Sequence, residues 1–164
     1  MKNVLLVIPP GVKPRIGLHH ALERASAVGS KLVALVILDP SETVRIAARL
    51  DDAFLGERVG DRVIKALERE QFVRAEDLLT DIASEAADAG IEVVRLIESG
   101  DTSEVCERVI RQQDIGYAVL VAERRSWLTR LLSRSPTVNI PTFEGCEIKV
   151  VEETGTDNPE DEVV

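Results

Sequence analysis

Aromatic residues, cysteines and long apolar runs are all scarce in this sequence, and each shortage excludes a class of protein. Phe, Tyr and Trp make up only 3% of the 164 residues, so the core must be built from aliphatic side chains. Cys106 and Cys146 form no CxxC pair or zinc-type spacing, which argues against a disulfide framework or a metal site. No apolar run approaches the ~20 residues that span a bilayer. The apolar start over residues 4–8 is too short for the core of a signal peptide, and we expect a soluble cytoplasmic protein.

Basic residues are also in deficit, with 20 Lys and Arg against 29 Asp and Glu, and the net charge is -9. The resulting field repels phosphate backbones and anionic lipid headgroups, so neither nucleic acid nor a membrane surface is expected as a partner. The final segment has too little apolar content to fold on its own, and its acids are Glu153, Asp157, Glu160, Asp161 and Glu162. We therefore expect one domain over residues 1–152 and a flexible acidic tail over residues 153–164.

Short apolar runs rich in β-branched residues alternate with segments of helical period. The runs predict five strands, over residues 3–8, 31–38, 91–97, 115–122 and 147–151. Alternation of strands and helices is typical of a parallel sheet with right-handed crossovers and helices on both faces. The fold class expected is therefore α/β, with a doubly wound open parallel sheet.

Capping residues mark the ends of the predicted helices. Gly29 and Gly90 each follow an apolar helical stripe, at the position where a left-handed residue ends a helix. Asp39 and Asp101 are each followed three residues later by glutamate, which indicates a helix start. A further short amphipathic helix is predicted within residues 123–135. The long stripe before Gly90 consists of Ile64, Leu67, Gln71, Ala75, Leu78, Ile82, Ala86 and Ala89, of which only Gln71 is polar.

Ligands of open parallel sheets bind at the carboxyl ends of strands, near the point where the strand order reverses. The loops to inspect are therefore residues 9–14, after the first strand, and residues 123–126, after the fourth. Two prolines, Pro9 and Pro10, stand where a phosphorylated receiver domain would have an acidic pair. The dinucleotide, P-loop and nucleophile-elbow motifs are likewise missing from the sequence. No catalytic centre is predicted.

Three passages, taken in order, resemble the universal stress protein family over residues 3–152. The first is the strand at 4–8 with a helix that runs into AVGSKLVALV. The second is Gly100-Asp101 before a helix and then IGYAVLV, and the third is RSWLTRLLSRS, which is similar to the helix in the family's nucleotide loop. The resemblance implies five strands in the order 3-2-1-4-5 and a homodimer. In that family the last strand commonly pairs with its counterpart, which would place Ile148, Val150 and Val151 in the dimer interface.

ATP-binding members of that family carry an acid after the first strand and the pattern Gly, two residues, Gly, nine residues, Gly, Ser. In this register the acid corresponds to Pro9, the glycines correspond to Val121, Arg124 and Arg134, and only Ser135 matches. Glycines at such places let backbone amides approach phosphate without a Cβ in the way. The departure implies that the family's ATP mode is lost, and no cofactor is expected.

Two alternatives stay open beside that interpretation. An anion site of another kind would use side chains near a helix N-terminus, namely Arg124, Arg125, Ser126, Arg130, Arg134 and Ser135. It would make the protein a nucleotide or phosphate sensor, although the same arginines also suit a solvated basic helix face. A weak ATP hydrolase would need a base, and only Glu123 lies in the expected loops. The leading hypothesis is a non-enzymatic, homodimeric regulatory or scaffolding module with an unidentified protein partner.

The remaining candidates for a catalytic or binding role are the two histidines, the two cysteines and the single tryptophan. His19 and His20 are adjacent, so they point in different directions on a helix and are expected at the surface or its boundary rather than on a metal. Cys106 is expected to be a small core residue, and Cys146 to be in the core or partly exposed, neither with an activating base. Trp127 is either a packing anchor or an interface contact.

Overall fold

A computed structural model describes residues 2–38, 59–123 and 142–153, together with the single residues 40 and 48. The strands are β1 (Asn3–Ile8), β2 (Leu32–Leu38), β3 (Val93–Ser99), β4 (Ile115–Glu123) and β5 (Glu147–Glu153). The helices within these ranges are α1 (Arg15–Val28), α2 (Val59–Asp88) and α3 (Thr102–Gln112). The predicted helix after Asp39, apart from residues 40 and 48, lies outside the described residues, and so do Trp127 and the predicted helix beyond residue 123. No helix of the described ranges is both long and apolar enough to cross a membrane.

The strands form one parallel sheet in the order β3-β2-β1-β4-β5. This arrangement confirms the predicted fold class and the predicted strand order. The order reverses between β1 and β4, because the chain winds outward on one side through β2 and β3 and on the other through β4 and β5. The carboxyl ends of β1 and β4 therefore flank the crevice where ligands of such sheets bind.

Alternate residues of each strand face two separate cores. On β1, Val4, Leu6 and Ile8 pack toward α1 and α2, whereas Leu5 and Val7 pack toward α3. The α3 side chains in that second core are Val105, Cys106, Val109 and Ile110. Both cores are almost entirely aliphatic, as the composition predicts. Each buried Leu, Val or Ile contributes about 1.5–3 kcal/mol over the exposed state, so the central strands carry most of the stabilisation.

The two glycines predicted to end helices do so through the same backbone motif. Gly29 and Gly90 have positive φ angles of 67° and 75°. At each site the next residue donates back into the helix, with Ser30 N bonded to Ala25 O and Ile91 N bonded to Ala86 O. Because Ile91 is buried in this closure, β3 begins two residues later than the predicted strand.

The inward face of α2 differs from the predicted stripe in detail. Ala75, Ile82 and Ala86 are buried as predicted, and Leu79, which the stripe omitted, is buried with them. Ala89 is exposed, contrary to the prediction, because α2 ends at Asp88 and the chain turns at Gly90. On α3, the carboxylate of Asp101 accepts a hydrogen bond of 3.1 Å from Glu104 N, which confirms the predicted cap.

The outer strand β5 pairs only with β4 among the described strands. Of the residues predicted to meet a partner, Val150 is 38% exposed, Ile148 is half-buried and Val151 is buried in the core beneath α1. The strand continues through Glu153, which the sequence pattern assigned to the acidic tail. Glu153 is only 4% exposed, so the last residue of β5 belongs to the packed domain.

Helix α1 approaches the sheet closely at its first turn. A Cβ built on Gly17 would lie 2.7 Å from Val121 Cγ2, so this contact requires the absence of a side chain at Gly17. Pro14 provides no side-chain cap for the helix, and the backbone N–H of Gly17 donates instead to Glu153 Oε1 at 2.7 Å. A carboxylate at a helix N-terminus also interacts favourably with the helix dipole. The start of α1 is thus tied to the ends of β4 and β5.

The contact between Gly17 and Val121 predicts a coupled effect on stability. Gly17→Ala should lower the free energy of unfolding by about 1–2 kcal/mol, because overpacking outweighs the gain in helix propensity. Combined with Val121→Ala, which removes the opposing methyl groups, the loss should be smaller than the sum of the two single losses by about 1 kcal/mol. Urea denaturation followed by circular dichroism measures all three variants. Strictly additive losses would contradict the contact.

Candidate functional site

The loop after β1 is a short, rigid segment at the carboxyl end of the sheet. Three of its residues are prolines, which restrict the backbone, and Gly11 turns the chain with a φ of 77°. Val12 N donates to Pro9 O at 3.4 Å, and the Val12 side chain is only 2% exposed. The loop is therefore anchored to the core by Val12 immediately before α1 begins.

A cavity of about 460 Å³ lies between this loop and α2. Pro9 and Val36 line it from the sheet side, and Gln71, the polar exception in the predicted stripe, lines it from α2. We call it the β1-loop cavity. Its size is sufficient for a small ligand.

The charged side chains around the β1-loop cavity are of both signs. Asp77 and Asp81 bring two carboxylates to its wall. Arg74 lines the same wall, but its guanidinium is 2.6 Å from the carboxylate of Glu70 and is already paired. Lys13 also lines the cavity, so two cations and two carboxylates share it, and the lining has no excess of positive charge for a polyphosphate.

A groove of about 600 Å³ continues from this cavity between α1 and α2. Leu18, Leu22 and Leu78 are among the residues that line it, and Glu85 and Asp88 bring further acids from α2. His19 from α1 and Ser84 from α2 also line it. The groove therefore combines apolar, acidic and other polar side chains.

The predicted phosphate-binding residues all lie outside the described residues, but two other positions of the family pattern are described. The residues outside are Arg124, Arg125, Ser126, Arg130, Arg134 and Ser135. Pro9 does stand at the carboxyl end of β1, where the family resemblance would place an acid, and it lines the β1-loop cavity. Val121 points into the core against Gly17, so its side chain packs beneath α1 and does not lie in the loop after β4.

The two histidines have separate surroundings, as their adjacency predicts. His19 is exposed and lies 3.9 Å from Glu23 on the same helix face. His20 is partly buried, with Nε2 2.9 Å from the hydroxyl of Tyr117. Over the part of the chain that the structure describes, no three His, Cys, Asp or Glu side chains converge as a metal site would require.

A cluster around Tyr117 at the amino end of the sheet is absent from the predictions. The guanidinium carbon of Arg24 lies 4.6 Å above the centre of the Tyr117 ring, a cation–π geometry. Arg24 Nη2 is also 3.8 Å from Glu147 Oε2, at the start of β5. Burial and the nearby carboxylate of Glu147 raise the pKa of Tyr117, although Arg24 acts in the opposite direction. The phenol is therefore a neutral hydrogen-bonding group at physiological pH.

The two thiols are poor nucleophiles for a common physical reason. Burial, with a smaller effect from Asp101, raises the pKa of Cys106 from 9.0 to about 11. Burial also raises the pKa of Cys146, which is partly exposed, even though Lys2 opposes the shift. Because the thiolate is the reactive form, neither cysteine is activated for catalysis at neutral pH. This agrees with the interpretation of Cys106 as a core residue.

No family model matches the chain, and no curated protein matches it. Solved structures do resemble it, and universal stress proteins are prominent among them. The universal stress protein of Lactobacillus plantarum has a TM-score of 0.58 at 17% identity, over 92% of this chain and 99% of that one. A universal stress protein family member from Burkholderia pseudomallei has a TM-score of 0.53 at 17% identity, over 92% and 96%.

A third structure is a hypothetical protein whose biochemical function was assigned from its structure. It has a TM-score of 0.58 at 13% identity and covers 94% of this chain and 99% of its own. All three similarities cover more than nine-tenths of this chain. The chain therefore has the fold of the universal stress proteins.

Proposed function

We propose that the protein is a regulatory or scaffolding module of the universal stress protein type, non-enzymatic and cytoplasmic, that does not bind ATP in the family's usual way. The β1-loop cavity carries this proposal. It lies at the carboxyl end of β1, where such sheets bind ligands, yet Asp77 and Asp81 offset Lys13 and Arg74 in its lining, which leaves no excess of positive charge for a polyphosphate. With Pro9 in place of an acid, the cavity also lacks the polar group that the resemblance would put there.

A homodimer through β5 is the second part of the proposal. Among the described strands, none pairs with the outer edge of β5. The backbone groups on that edge would therefore be available for pairing with a second copy. Edge strands with apolar side chains are normally covered, because they otherwise promote uncontrolled association. Val150 is one of the few large apolar side chains that are exposed in the described residues. Its place on the outer strand supports pairing of β5 with a second copy.

The first alternative is a phosphate sensor based on the arginines from Arg124 to Arg134, and the tests below must distinguish it from the proposed regulatory module. The local sequence places several guanidinium groups near a predicted helix start, where anions bind favourably. A weak ATP hydrolase is the less favoured alternative, with Glu123 as the base. Glu123 is the last residue of β4, at the expected end of the sheet.

Calorimetric titration with ATP and magnesium tests the nucleotide part of the proposal. The native chain should give no binding heat at micromolar concentrations, because Arg124 and Arg134 stand where the family pattern has glycines. Introducing Arg124→Gly and Arg134→Gly together should create measurable binding, because backbone amides could then approach phosphate. Micromolar binding by the native chain would contradict the proposal.

Parallel titrations with AMP and inorganic phosphate distinguish the alternatives. Binding of phosphate that is lost in the Arg124→Gly, Arg134→Gly variant would favour the arginine-based sensor. Release of phosphate from ATP that disappears in Glu123→Gln would favour the hydrolase. Silence in both assays leaves the partner-binding module as the supported function.

Sedimentation velocity tests the dimer. The native chain, of 18.0 kDa, should sediment at twice that mass at micromolar concentration. Val150→Lys should weaken the dimer by about tenfold or more, because it places a charge in an apolar interface. The control is Val73→Lys, the same change at a valine of α2 that is 50% exposed, and it should leave the dimer intact. Equal behaviour of the two variants, or a monomeric native chain, would contradict pairing through β5.

A further inference from the structure

We propose that the groove between α1 and α2 is a docking surface for a basic, amphipathic helix of a partner protein. The inference rests on the partner-binding function proposed above, and it names the surface and the chemistry of the partner. The groove has a volume of about 600 Å³, and its lining extends from Lys13 to Leu22 on one side and from Leu78 to Asp88 on the other. That length corresponds to about three helical turns. A third helix that packs along two neighbouring helices requires a channel of this kind.

The floor of the groove contains apolar surface that the fold leaves partly uncovered. Leu22 from α1 and Leu78 from α2 both line the groove and pack against the core, yet each is only half-buried. Leu18 and Ile82 lie beneath the same groove and are 7% and 2% exposed. The two half-buried leucines, one from each helix, are therefore the side chains that the apolar face of a partner helix would cover.

The α2 wall of the groove carries carboxylates without counterions. Asp81, Glu85 and Asp88 all line the groove and are all exposed. Their spacing of four and then three residues places them one above another on a single face of the helix. The sequence has no lysine or arginine over residues 75–94. Over the ranges that the structure describes, none of the three forms an ion pair, whereas Glu70, earlier on the same helix, is paired with an arginine one turn further on.

These three carboxylates are unfavourable for the folded chain in isolation. Glu85 and Asp88 lie in the last turn of α2, beside the negative end of the helix dipole, and that turn contains no basic residue. Asp81 and Glu85 are four residues apart, so their like charges also repel each other. The charge of this wall therefore does not stabilise α2. Lysines or arginines from a partner helix would relieve the repulsion, and this complementarity identifies the partner as basic.

The charges are distributed unevenly along the groove, and this distribution sets the direction of the partner helix. Lys13 and Arg15 line the end where α1 begins, whereas Glu85 and Asp88 line the end where α2 stops. A partner helix whose basic residues lie in its N-terminal half would bring both those cations and the positive end of its own dipole to the carboxylates. Its axis would run antiparallel to α1 and α2, which is the favourable arrangement for helix dipoles.

Titration of a synthetic peptide tests this docking surface. The probe is a helical peptide of about 15 residues with blocked ends, built from leucine, alanine and lysine, with a leucine at every third or fourth position and the lysines in its N-terminal half. Fluorescence anisotropy of the labelled peptide should show saturable binding as the full-length protein is added at low ionic strength. Replacing the lysines by glutamates, or the leucines by glutamines, should weaken binding by at least about tenfold. Moving the lysines to the C-terminal half should weaken it by about threefold.

Methyl resonances of the protein show where the peptide binds. With leucine methyl groups labelled with ¹³C, the resonances of Leu22 and Leu78 should shift as the peptide saturates the protein. The control is Leu5, which is fully buried in the core beneath α3 and should not shift.

Neutralising the carboxylates separates a loss of binding from a loss of folding. The groove variant combines Asp81→Asn, Glu85→Gln and Asp88→Asn. It should bind the lysine peptide at least about tenfold more weakly. Its melting temperature should rise by about 2–4 °C, because the repulsion and the unfavourable interaction with the helix dipole are removed. A damaged fold would not be more stable than the native one.

A second triple variant controls for the net charge of the protein. It changes three exposed carboxylates outside the groove, by Glu68→Gln, Glu104→Gln and Glu144→Gln. Both triple variants change the net charge by the same amount, so nonspecific attraction of a cationic peptide falls equally in the two. The control should keep the native affinity within about twofold.

Four results would overturn the proposal. They are the absence of saturable binding, equal affinity for the lysine and glutamate peptides, equal losses in the two triple variants, and unshifted methyl resonances of Leu22 and Leu78 at saturation. Binding that is as tight with the lysines in the C-terminal half would overturn the direction assigned to the partner helix. None of these results affects the nucleotide titrations, so failure of the docking surface is distinguishable from failure of the proposed function.

Discussion

The position of α1 on the sheet depends on one close contact at its first turn. Gly17 lies directly against Val121, and its N–H donates to the carboxylate of Glu153 at the end of β5. The first contact requires the smallest side chain at a helical position, and the second supplies the cap that Pro14 lacks. Together they bring α1 down onto β4 and β5. The loop from Pro9, the groove beside α2 and the cluster around Tyr117 all take their shape from where this helix lies.

The carboxyl end of the sheet is where the functional proposals meet. The β1-loop cavity there contains Asp77 and Asp81 beside Lys13 and Arg74, and the loop is stiffened by prolines, so a polyphosphate finds no excess of positive charge. At the amino end, Arg24 lies over the Tyr117 ring and near Glu147. The fold is that of the universal stress proteins, but fold alone does not specify function. The proposed function therefore rests on the lining of the β1-loop cavity as well as on the fold.

The parts of the structure that depend on local periodicity could be predicted from the sequence. The five strands and the glycine-terminated helices follow from apolar runs, helical stripes and residues such as Gly29, whereas the strand order was implied by the family resemblance. Glu153 was assigned to the tail because it begins a run of acids, yet a long-range backbone donor holds it in the core. The contact of His20 with Tyr117 joins residues 97 positions apart, and no spacing rule identifies such a pair. Gln71 was the one available signal, since a polar residue in an apolar stripe marked the cavity that it lines.

The claim that Glu153 holds the first turn of α1 is tested most directly by hydrogen exchange at the Gly17 amide, followed by nuclear magnetic resonance. Removing the acceptor with Glu153→Ala should speed exchange of that amide by about tenfold or more, as expected for the loss of a hydrogen bond to a charged group. Amides in the middle of β1 should keep their protection, because the sheet does not depend on this cap. Unchanged exchange at Gly17, or equal acceleration throughout the sheet, would contradict the account.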